Sequence, residues 1–500
     1  MSAERWIVAS LLLTGCFSPE APEDTEGGGE ADATTASSMD PSGGPGSTDG
    51  TSGPSTTSPS TTNSTDTDGP TTDPTDTDDP TDTDDPTDTD GAECGNGEVE
   101  GDEACDDGVN DGSYGGCNDD CTLAAYCGDG EVQAAEECDD GDELQGNGCN
   151  LDCVPSGLEL WTHEEHVTQN DICVAIAPSQ GAHVYLAAQI DNLDGGPYAG
   201  AFFAQRLSAT GAVDWEQQHA PLATSTSHDY ITYAAADAGD GLVMVGAHRV
   251  NVSVPRVGSS SSFTDVRAVK LSAANGDVVW TRSDEGPGFP AGVVVDDDGE
   301  LAVAAIVANT FHSYIYRLSA DGDPIGQPDY TAGGRATAIA FDPAGSFLVA
   351  AMPGDTIIQR RNAGFGVLWS ADASPLVEIR DLAVGTEGDI FAVSEGRIGR
   401  RASADAAEVW TVETSNAASL GDPQSIAATG EGDLVVAGSR QGAPWIARLD
   451  PDGQVLWSRS ASETGEFASV GVRADGSVIA CGTIDGGGQG DNIFVATYTP

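Results

Sequence analysis

From residue 157 to the end of the chain, short apolar runs alternate with glycine turns in a repeated pattern. Runs rich in Val and Ile that flank Asp-Gly or Gly-Asp turns predict β-hairpins. Weaker copies of the pattern begin near Cys173 and Tyr233. The five clear copies, which bring the total to seven, read VVVDDDGELAVAA, IAFDPAGSFLVAA, LAVGTEGDIFAVS, IAATGEGDLVVAG and VGVRADGSVIACG.

A second hairpin pattern ends in tryptophan, as in RLSATGAVDW, KLSAANGDVVW and RLDPDGQVLW. Two hairpins per period of about 49 residues predict a four-stranded blade. We expect the tryptophans to pack between blades. Copies of this pattern end at Trp215, Trp280, Trp369, Trp410 and Trp457, and Gly326 takes the tryptophan position in RLSADGDPIG.

The two ends of this region complete one another. The final VATYTP matches IARLDP, the opening SGLELW matches DGQVLW, and joined they rebuild one hairpin that ends at Trp161. This predicts that the first strand completes the last blade. The copies resemble PQQ-like and WD-type β-propeller repeats, and the resemblance implies an all-β, seven-bladed propeller over residues 157–500 but no particular activity.

The connections between these strands differ in length on the two faces of the predicted propeller. Turns between strands one and two and between three and four are short, whereas the other connections include the long segments. Loops on a rigid scaffold are where binding residues concentrate, so we predict the ligand-binding site on the long-loop face. The candidates are Asp191, Asp194, His228, Asp229, Tyr230, Arg249, Arg256, Asp485 and Asp491.

A cysteine-rich module precedes the propeller, over residues 94–153. Two units share the spacings C-x10-C-x11-C-x3-C and C-x10-C-x10-C-x3-C. Small exported domains gain stability from disulfides, and three pairings per unit are open. The pattern resembles the myxobacterial-type cysteine-rich repeat of surface and secreted proteins. The eight cysteines are Cys94, Cys105, Cys117, Cys121, Cys127, Cys138, Cys149 and Cys153.

Metal sites have weak support in the sequence. The CDDG elements offer carboxylate oxygens to calcium, but neither unit contains an EF-hand loop, and no cofactor is required. Each unit has only one close cysteine pair, which does not favour zinc. The four carboxylates in question belong to Asp106, Asp107, Asp139 and Asp140.

Two cysteines remain outside the module, Cys173 in the first inner strand and Cys481 in the last blade. Ring closure makes these blades neighbours, so we expect the two residues to lie near each other. Both a disulfide and two separate buried thiols stay open.

The start of the chain has the form of an export signal. Arg5 precedes an apolar stretch and then Leu13, Thr14, Gly15 and Cys16. The segment resembles a bacterial lipoprotein signal, which implies removal of residues 1–15, acylation of Cys16 and localisation on the outer membrane with exposure at the cell surface. Several acyl chains anchor a protein where a single chain barely holds it.

Residues 16–93 are rich in Thr, Asp, Ser, Pro and Gly and have few large apolar side chains, which predicts a disordered stalk. The chain carries 82 acidic residues against 19 Lys and Arg. This charge repels phosphate backbones and excludes nucleic acid as a partner.

Catalytic residues are not identifiable. The HEEH segment places His163 and His166 three residues apart on a predicted strand, so their side chains point to opposite faces and do not form a zinc-protease motif. An enzyme is therefore not favoured. The leading hypothesis is a surface-anchored propeller that binds an extracellular protein or glycan. The alternatives are a scaffold in outer-membrane assembly and an extracellular enzyme acting on glycans or alcohols.

The lipid anchor predicts the behaviour of one variant. Cys16→Ser removes the acylated thiol, and the propeller strands bury their apolar faces against one another. We expect this variant to leave the membrane fraction when cells are lysed and centrifuged. Sedimentation of the variant with the membranes, as for the unmodified sequence, would contradict the lipoprotein interpretation.

Overall fold

The computed structural model describes residues 93–500 except 169, 180, 191–200, 220–226, 238–240, 254–259, 297, 308–311, 333, 343–344 and 353–355. The predicted seven-bladed β-propeller is confirmed: 27 strands form antiparallel blades of four, and one long strand serves two blades. In the described residues the only helices are two single 3-10 turns. None of the described segments is a helix long and apolar enough to cross a membrane.

Blades 1 to 3 follow each other along the chain. Blade 1 contains β2 (Asp171–Pro178), β3 (Val184–Ile190), β4 (Ala201–Leu207) and β5 (Val213–His219). Blade 2 contains β6 (Ser227–Ala236), β7 (Leu242–Ser253), β8 (Ser260–Leu271) and the first part of β9 (Val278–Val295). Blade 3 uses the rest of β9 with β10 (Leu301–Val307), β11 (Ser313–Leu318) and β12 (Pro324–Ala332).

Blades 4 to 6 each form a separate sheet. Blade 4 contains β13 (Arg335–Asp342), β14 (Ser346–Met352), β15 (Ile357–Asn362) and β16 (Val367–Asp372). Blade 5 contains β17 (Asp381–Val384), β18 (Ile390–Ser394), β19 (Arg397–Arg401) and β20 (Glu408–Glu413). Blade 6 contains β21 (Asp422–Ala428), β22 (Leu434–Arg440), β23 (Ala443–Leu449) and β24 (Val455–Ser460).

Blade 7 joins the two ends of the propeller. It contains β25 (Gly465–Val472), β26 (Val478–Asp485) and β27 (Asp491–Tyr498), and β1 (Glu159–Glu165) pairs antiparallel with β27 as the outer strand. A disulfide between Cys173 and Cys481, with Cα atoms 6.1 Å apart, ties blade 1 to blade 7. Both cysteines are fully buried among the apolar side chains of these two blades. The ring is therefore closed by hydrogen bonds and by a covalent bond.

The tryptophans hold neighbouring blades together, as the repeat pattern predicts. The Trp215 indole of blade 1 donates its N–H to the carbonyl of Ala273, in the last turn of blade 2, at 2.9 Å. Arg206 donates to the same carbonyl at 2.6 Å. The third residue of this contact is Gly276 with φ +73°, and a Cβ there would lie 2.7 Å from the indole ring. Glycine is required because the indole lies flat against this turn.

The same contact recurs around the ring. Indole N–H groups donate to turn carbonyls of the next blade at 2.8–3.0 Å, in the pairs Trp161–Ala209, Trp280–Ala320 and Trp410–Pro451. Gly211, Gly322 and Gly453 lie against these indoles. In six outer strands a one-residue bulge separates the tryptophan from the preceding paired position, as Asp214 does before Trp215.

Blade 3 departs from this register. Arg317 pairs with Ile325, whereas the equivalent Arg206 pairs with Trp215. The expectation that Gly326 takes the tryptophan position is therefore wrong. Leu318 pairs with Pro324, the residue directly before Ile325, so β12 lacks the one-residue bulge of the other outer strands. Its register is therefore shifted by one residue relative to theirs.

The inner strands share a feature that the sequence patterns do not predict. Six of the seven contain one unpaired residue where the register shifts. A β-bulge bends its strand and increases the twist, which fits strands that surround a channel. The inserted residues are Val174, Thr232, Ala291, Thr337, Gln424 and Ala468.

The cysteine module consists of two units with the same nested pairing. The first cysteine bonds the fourth and the second bonds the third, in the disulfides Cys94–Cys121, Cys105–Cys117, Cys127–Cys153 and Cys138–Cys149.

The module contacts blades 6 and 7. The Thr499 hydroxyl donates to the Pro155 carbonyl at 2.7 Å, and Arg459 donates to the carbonyls of Ser156 and Gly157 at 2.9 Å. Gly157 lies against the Trp457 indole, and Gly146 packs against the buried Arg448 guanidinium. Blade 7 lacks a continuous turn between β27 and β1 because the chain ends meet there. Residues of the module and linker occupy that position.

The indole contact predicts the effect of adding a single methyl group. Gly442 has φ +82° and open space around its Cβ position, so we expect Gly442→Ala to cost about 1 kcal/mol from backbone conformation alone. Gly322 has nearly the same φ, +79°, but its Cβ would meet the Trp280 ring at 2.7 Å. Gly322→Ala is expected to cost about 1–3 kcal/mol more. Denaturant unfolding measures both, and equal losses would contradict the packing role.

Candidate ligand-binding face

The antiparallel blades give the propeller two different faces. We call the face with the turns between strands one and two and between three and four the hairpin face. The opposite side, the connection face, has the links between strands two and three and between successive blades. The cysteine module contacts residues at the hairpin-face ends of blades 6 and 7, Arg448 through Gly146 and Gly476 through Gln145. The hairpin face therefore has the cysteine module against it at blades 6 and 7.

The structure places the described ligand-binding candidates at connection-face ends of strands. The backbones of His228 and Arg249 pair with each other in β6 and β7, and Asp229 and Tyr230 follow in β6. Asp485 and Asp491 pair at the ends of β26 and β27. The other three candidates, Asp191, Asp194 and Arg256, lie outside the described residues.

Asp491 lies beside the entry to blade 1. Asn170, the residue just before the first inner strand β2, forms a parallel β-bridge with Asp491. Next to it, the buried Asp171 carboxylate accepts the N–H groups of Val167 at 2.6 Å and Thr168 at 2.8 Å. This turn fixes the junction of the first and last blades on the connection face.

The two histidines of HEEH have different partners. The His163 Nε2 atom lies 3.2 Å from the Gln205 side-chain oxygen in blade 1 and 3.6 Å from the Glu165 carboxylate. The His166 Nδ1 atom lies 3.7 Å from the Asp171 carboxylate. These contacts join blade 7 to blade 1.

Charged side chains stand where the inner strands begin, at the connection-face mouth of the channel. Arg380 donates to the Asp422 carboxylate at 2.9 Å and to the Pro423 carbonyl at 2.8 Å. Glu466, half-buried, makes no side-chain hydrogen bond or ion pair to any described residue. Desolvation raises the pKa of Glu466, although the positive charge of Arg380 opposes the shift. The mouth thus contains an ion pair and, beside it, a carboxyl group with no ion-pair partner among the described residues.

A second group of channel residues comes from blades 2, 4 and 5. Desolvation, together with the negative charge of Asp381, raises the pKa of Tyr233 to about 12, while Arg335 opposes the shift. Half-buried Arg335 forms no ion pair with the side chains described here. Burial also raises the pKa of Asp381 despite its hydrogen bonds. Tyr233 therefore stays a protonated hydrogen-bond donor near neutral pH.

Hydrogen bonds connect the inner strands of adjacent blades. The Ser425 hydroxyl donates to the Asp381 carboxylate at 2.8 Å and accepts the Val470 N–H at 3.3 Å. One blade further on, the Ser469 hydroxyl accepts the Ile176 N–H at 3.1 Å. This polar seam runs through blades 5, 6, 7 and 1 and holds the channel wall in register.

The channel residues were missed by the sequence analysis, which favoured long loops. Each stands in or just before the first apolar run of its hairpin copy, as in IRDLAV, GDPQSIAA and GEFASVGV. Aligning those leading positions across copies would have revealed polar residues in place of the usual small or apolar ones. Groups of both charges around a channel suit a polar ligand held by hydrogen bonds and ion pairs.

The CDDG carboxylates of the cysteine module organise backbone turns. Asp106 accepts N–H groups of Gly95 at 2.6 Å, Asn96 at 3.0 Å and Gly108 at 2.8 Å, and Asp139 has the equivalent bonds. Hydrogen bonds from the N–H groups of Asn110 and Val109 lower the pKa of Asp107. These backbone N–H groups bond to the same carboxylate oxygens that the calcium hypothesis assigns to the ion. Asp140 likewise accepts the Cys149 N–H at 2.8 Å.

Three clusters of His, Cys, Asp or Glu atoms in the described residues have metal-ligand spacing. Each contains at least one cysteine sulfur that is already part of a disulfide. Such a sulfur is not available as a thiolate ligand.

No protein-family model and no curated protein matches this chain. Among solved structures, the Dos1 propeller is similar, with a TM-score of 0.44 and 10% identity over 69% of this chain and 95% of that chain. A catalytically inactive virginiamycin B lyase from Staphylococcus aureus with quinupristin has a TM-score of 0.47 and 12% identity over 67% and 99%. Raptor from Chaetomium thermophilum has a TM-score of 0.45 and 11% identity over 69% and 28%. These similarities concern the fold alone.

The pKa shift of Glu466 predicts a pH-dependent change in stability. Because its folded pKa is raised, the charged form carries a penalty at neutral pH that is lost as pH falls through that pKa. We expect Glu466→Gln to raise the thermal midpoint by about 2 °C at pH 7 and to have no effect once the carboxyl group is protonated. Scanning calorimetry from pH 7 to pH 3.5 measures this, with the exposed Glu387→Gln as control. A midpoint lowered at pH 7 would contradict the desolvation argument.

Proposed function

We propose that this protein is a lipid-anchored receptor or adhesin of the bacterial cell surface that binds an extracellular protein or glycan through its connection face. The observation that carries the proposal is that the cysteine module and the charged channel mouth lie on opposite faces of the propeller. The cysteine module contacts the hairpin face at Arg448 through Gly146 and at Gly476 through Gln145. The long connections and the charged channel mouth lie on the opposite face.

The cysteine module and the proposed ligand-binding residues therefore take opposite sides of the ring. An acylated Cys16 precedes the module in the chain, and the predicted stalk separates the two. Hydrogen bonds from Thr499 and Arg459 hold the residues after the module against blades 6 and 7. The connection face lies on the other side of the ring from the module.

The channel mouth supports binding of a polar ligand. Arg380 and Asp422 form a fixed pair, while Glu466 and Arg335 have no ion-pair partner within the described part of the chain. Such groups are available to a sugar hydroxyl, an amide or a charged side chain of a ligand. Their position on inner strands, not on loops, gives the geometry that specific recognition needs.

Surface display is tested by cleavage at the connection face. A six-residue protease recognition sequence inserted between Gly487 and Gly488 lies in the turn between β26 and β27, where an added Cβ meets no neighbour. We expect the protease to cut this variant on intact cells, with the chain without the insertion as control. Cleavage only after the outer membrane is permeabilised would contradict surface display and favour the assembly scaffold.

A further inference from the structure

Equivalent positions of the inner strands form one layer at the connection-face mouth of the channel. In blades 3, 4, 6 and 7 the residue two positions before the inner-strand bulge is Phe289, Arg335, Asp422 and Glu466, respectively. Because the blades repeat around the ring, residues with the same register lie at the same depth of the channel. We call these four residues the mouth ring.

The two sides of the mouth ring differ in their chemistry. Neighbouring blades 3 and 4 supply an aromatic ring and a guanidinium group, whereas blades 6 and 7 supply two carboxylates. Asp422 is already paired with Arg380 at 2.9 Å. Arg335 makes no hydrogen bond or ion pair with its side chain to any residue that the structure describes. A cation without a partner attracts an anionic group of a ligand.

Phe289 is unusually open to solvent for an aromatic residue of an inner strand. It pairs with Ile306 in the blade 3 sheet, yet 47% of its surface is exposed. A large apolar side chain gains free energy from burial, so this ring favours contact with a flat apolar surface. The C–H face of a sugar ring is such a surface.

Tyr233 of blade 2 lies one layer deeper, directly after its inner-strand bulge. Desolvation is the main cause that raises its pKa to about 12, and the charges of Asp381 and Arg335 also act on it. The phenol therefore lies close to groups of blades 4 and 5. The equivalent Ser425 and Ser469 form hydrogen bonds along the polar seam, whereas the Tyr233 hydroxyl has no hydrogen-bond partner among the described residues. It is a free donor directed at the channel.

We propose that the channel mouth binds a uronic acid unit of an extracellular polysaccharide, a sugar whose carboxylate enters beside Arg335. This inference rests on the proposed function and names its ligand. Arg335 pairs with the carboxylate, the Tyr233 hydroxyl donates a hydrogen bond to it, and Phe289 packs against the C–H face of the sugar. Glu466, across the mouth, accepts a hydrogen bond from a sugar hydroxyl.

This set of groups favours an acidic sugar over an acidic protein side chain. An Asp or Glu side chain carries the carboxylate, but it has no ring to cover Phe289 and no hydroxyl to donate to Glu466. A neutral sugar has the ring and the hydroxyls but leaves Arg335 without a partner. Only the uronic acid uses all four groups together.

Isothermal titration calorimetry on the whole chain in detergent at pH 7 tests the proposal. The probes are trimers of galacturonic acid and of mannuronic acid, and the comparison ligands are their methyl esters, which keep the rings and hydroxyls but lose the charge. We expect each ester to bind at least about tenfold more weakly than the acid that binds, as for loss of a charge-assisted hydrogen bond.

The outcomes separate this inference from the proposed function. Equal affinity of acid and ester would overturn recognition of the carboxylate and would leave glycan binding by the connection face intact. Binding of neither acid would also overturn the inference. The proposed function allows a protein ligand as well, and its surface display is tested separately by protease cleavage on intact cells.

Three variants locate the site, and Arg282→Gln, at an exposed arginine on the outer strand of blade 2, is the control without effect. Arg335→Gln is expected to remove the preference for acid over ester. Tyr233→Phe is expected to weaken acid binding several-fold at an unchanged thermal midpoint, because its hydroxyl has no partner in the described chain. Phe289→Ala is expected to weaken acid and ester alike. A folded Arg335→Gln variant that still prefers the acid would overturn the proposal.

Discussion

The fold depends on one repeated contact, an indole of one blade lying flat on a turn of the next. The contact combines burial of a large apolar ring with a hydrogen bond from the indole N–H to a turn carbonyl, as in Trp215 and Ala273. Burying such a ring contributes on the order of 2–3 kcal/mol, and the hydrogen bond adds about 1 kcal/mol. At five junctions a glycine lies directly against the indole, and these are Gly157, Gly211, Gly276, Gly322 and Gly453.

Closure of the ring explains the parts that do not repeat. The last junction has no continuous turn, because β1 and β27 come from opposite ends of the propeller. Gly157 takes the role of the turn glycine against Trp457, and Gly146 of the cysteine module covers Arg448. The disulfide between Cys173 and Cys481 spans the neighbouring junction. The module is thus part of the closure.

Much of this architecture could be predicted from the sequence because the repeated copies can be aligned with one another. The blade number and the proximity of Cys173 and Cys481 followed from counting copies and matching the two ends. The slip at Ile325 and the bulges beside Cys173 and Tyr233 could not be predicted, since register depends on pairing with strands elsewhere in the chain.

The candidate site was predicted less well. Sequence reasoning selected loops by length, and Asp485 and Asp491 do lie at the connection face. The charged residues of the channel mouth, such as Arg380 and Glu466, begin inner strands that look like ordinary apolar hairpins. Their meeting around one channel is a property of the closed ring and not of any single copy.

Hydrogen exchange of β27 tests ring closure most directly. The chain is compared with a variant that lacks residues 157–165, the segment containing Gly157 and β1, and exchange is followed by mass spectrometry of the peptide covering residues 491–498. Alternate amides of β27 face β1 in an antiparallel pair. The account predicts that these amides lose protection in the variant and that its thermal midpoint falls. Equal protection and an unchanged midpoint in the two chains would show that the first strand does not close the propeller.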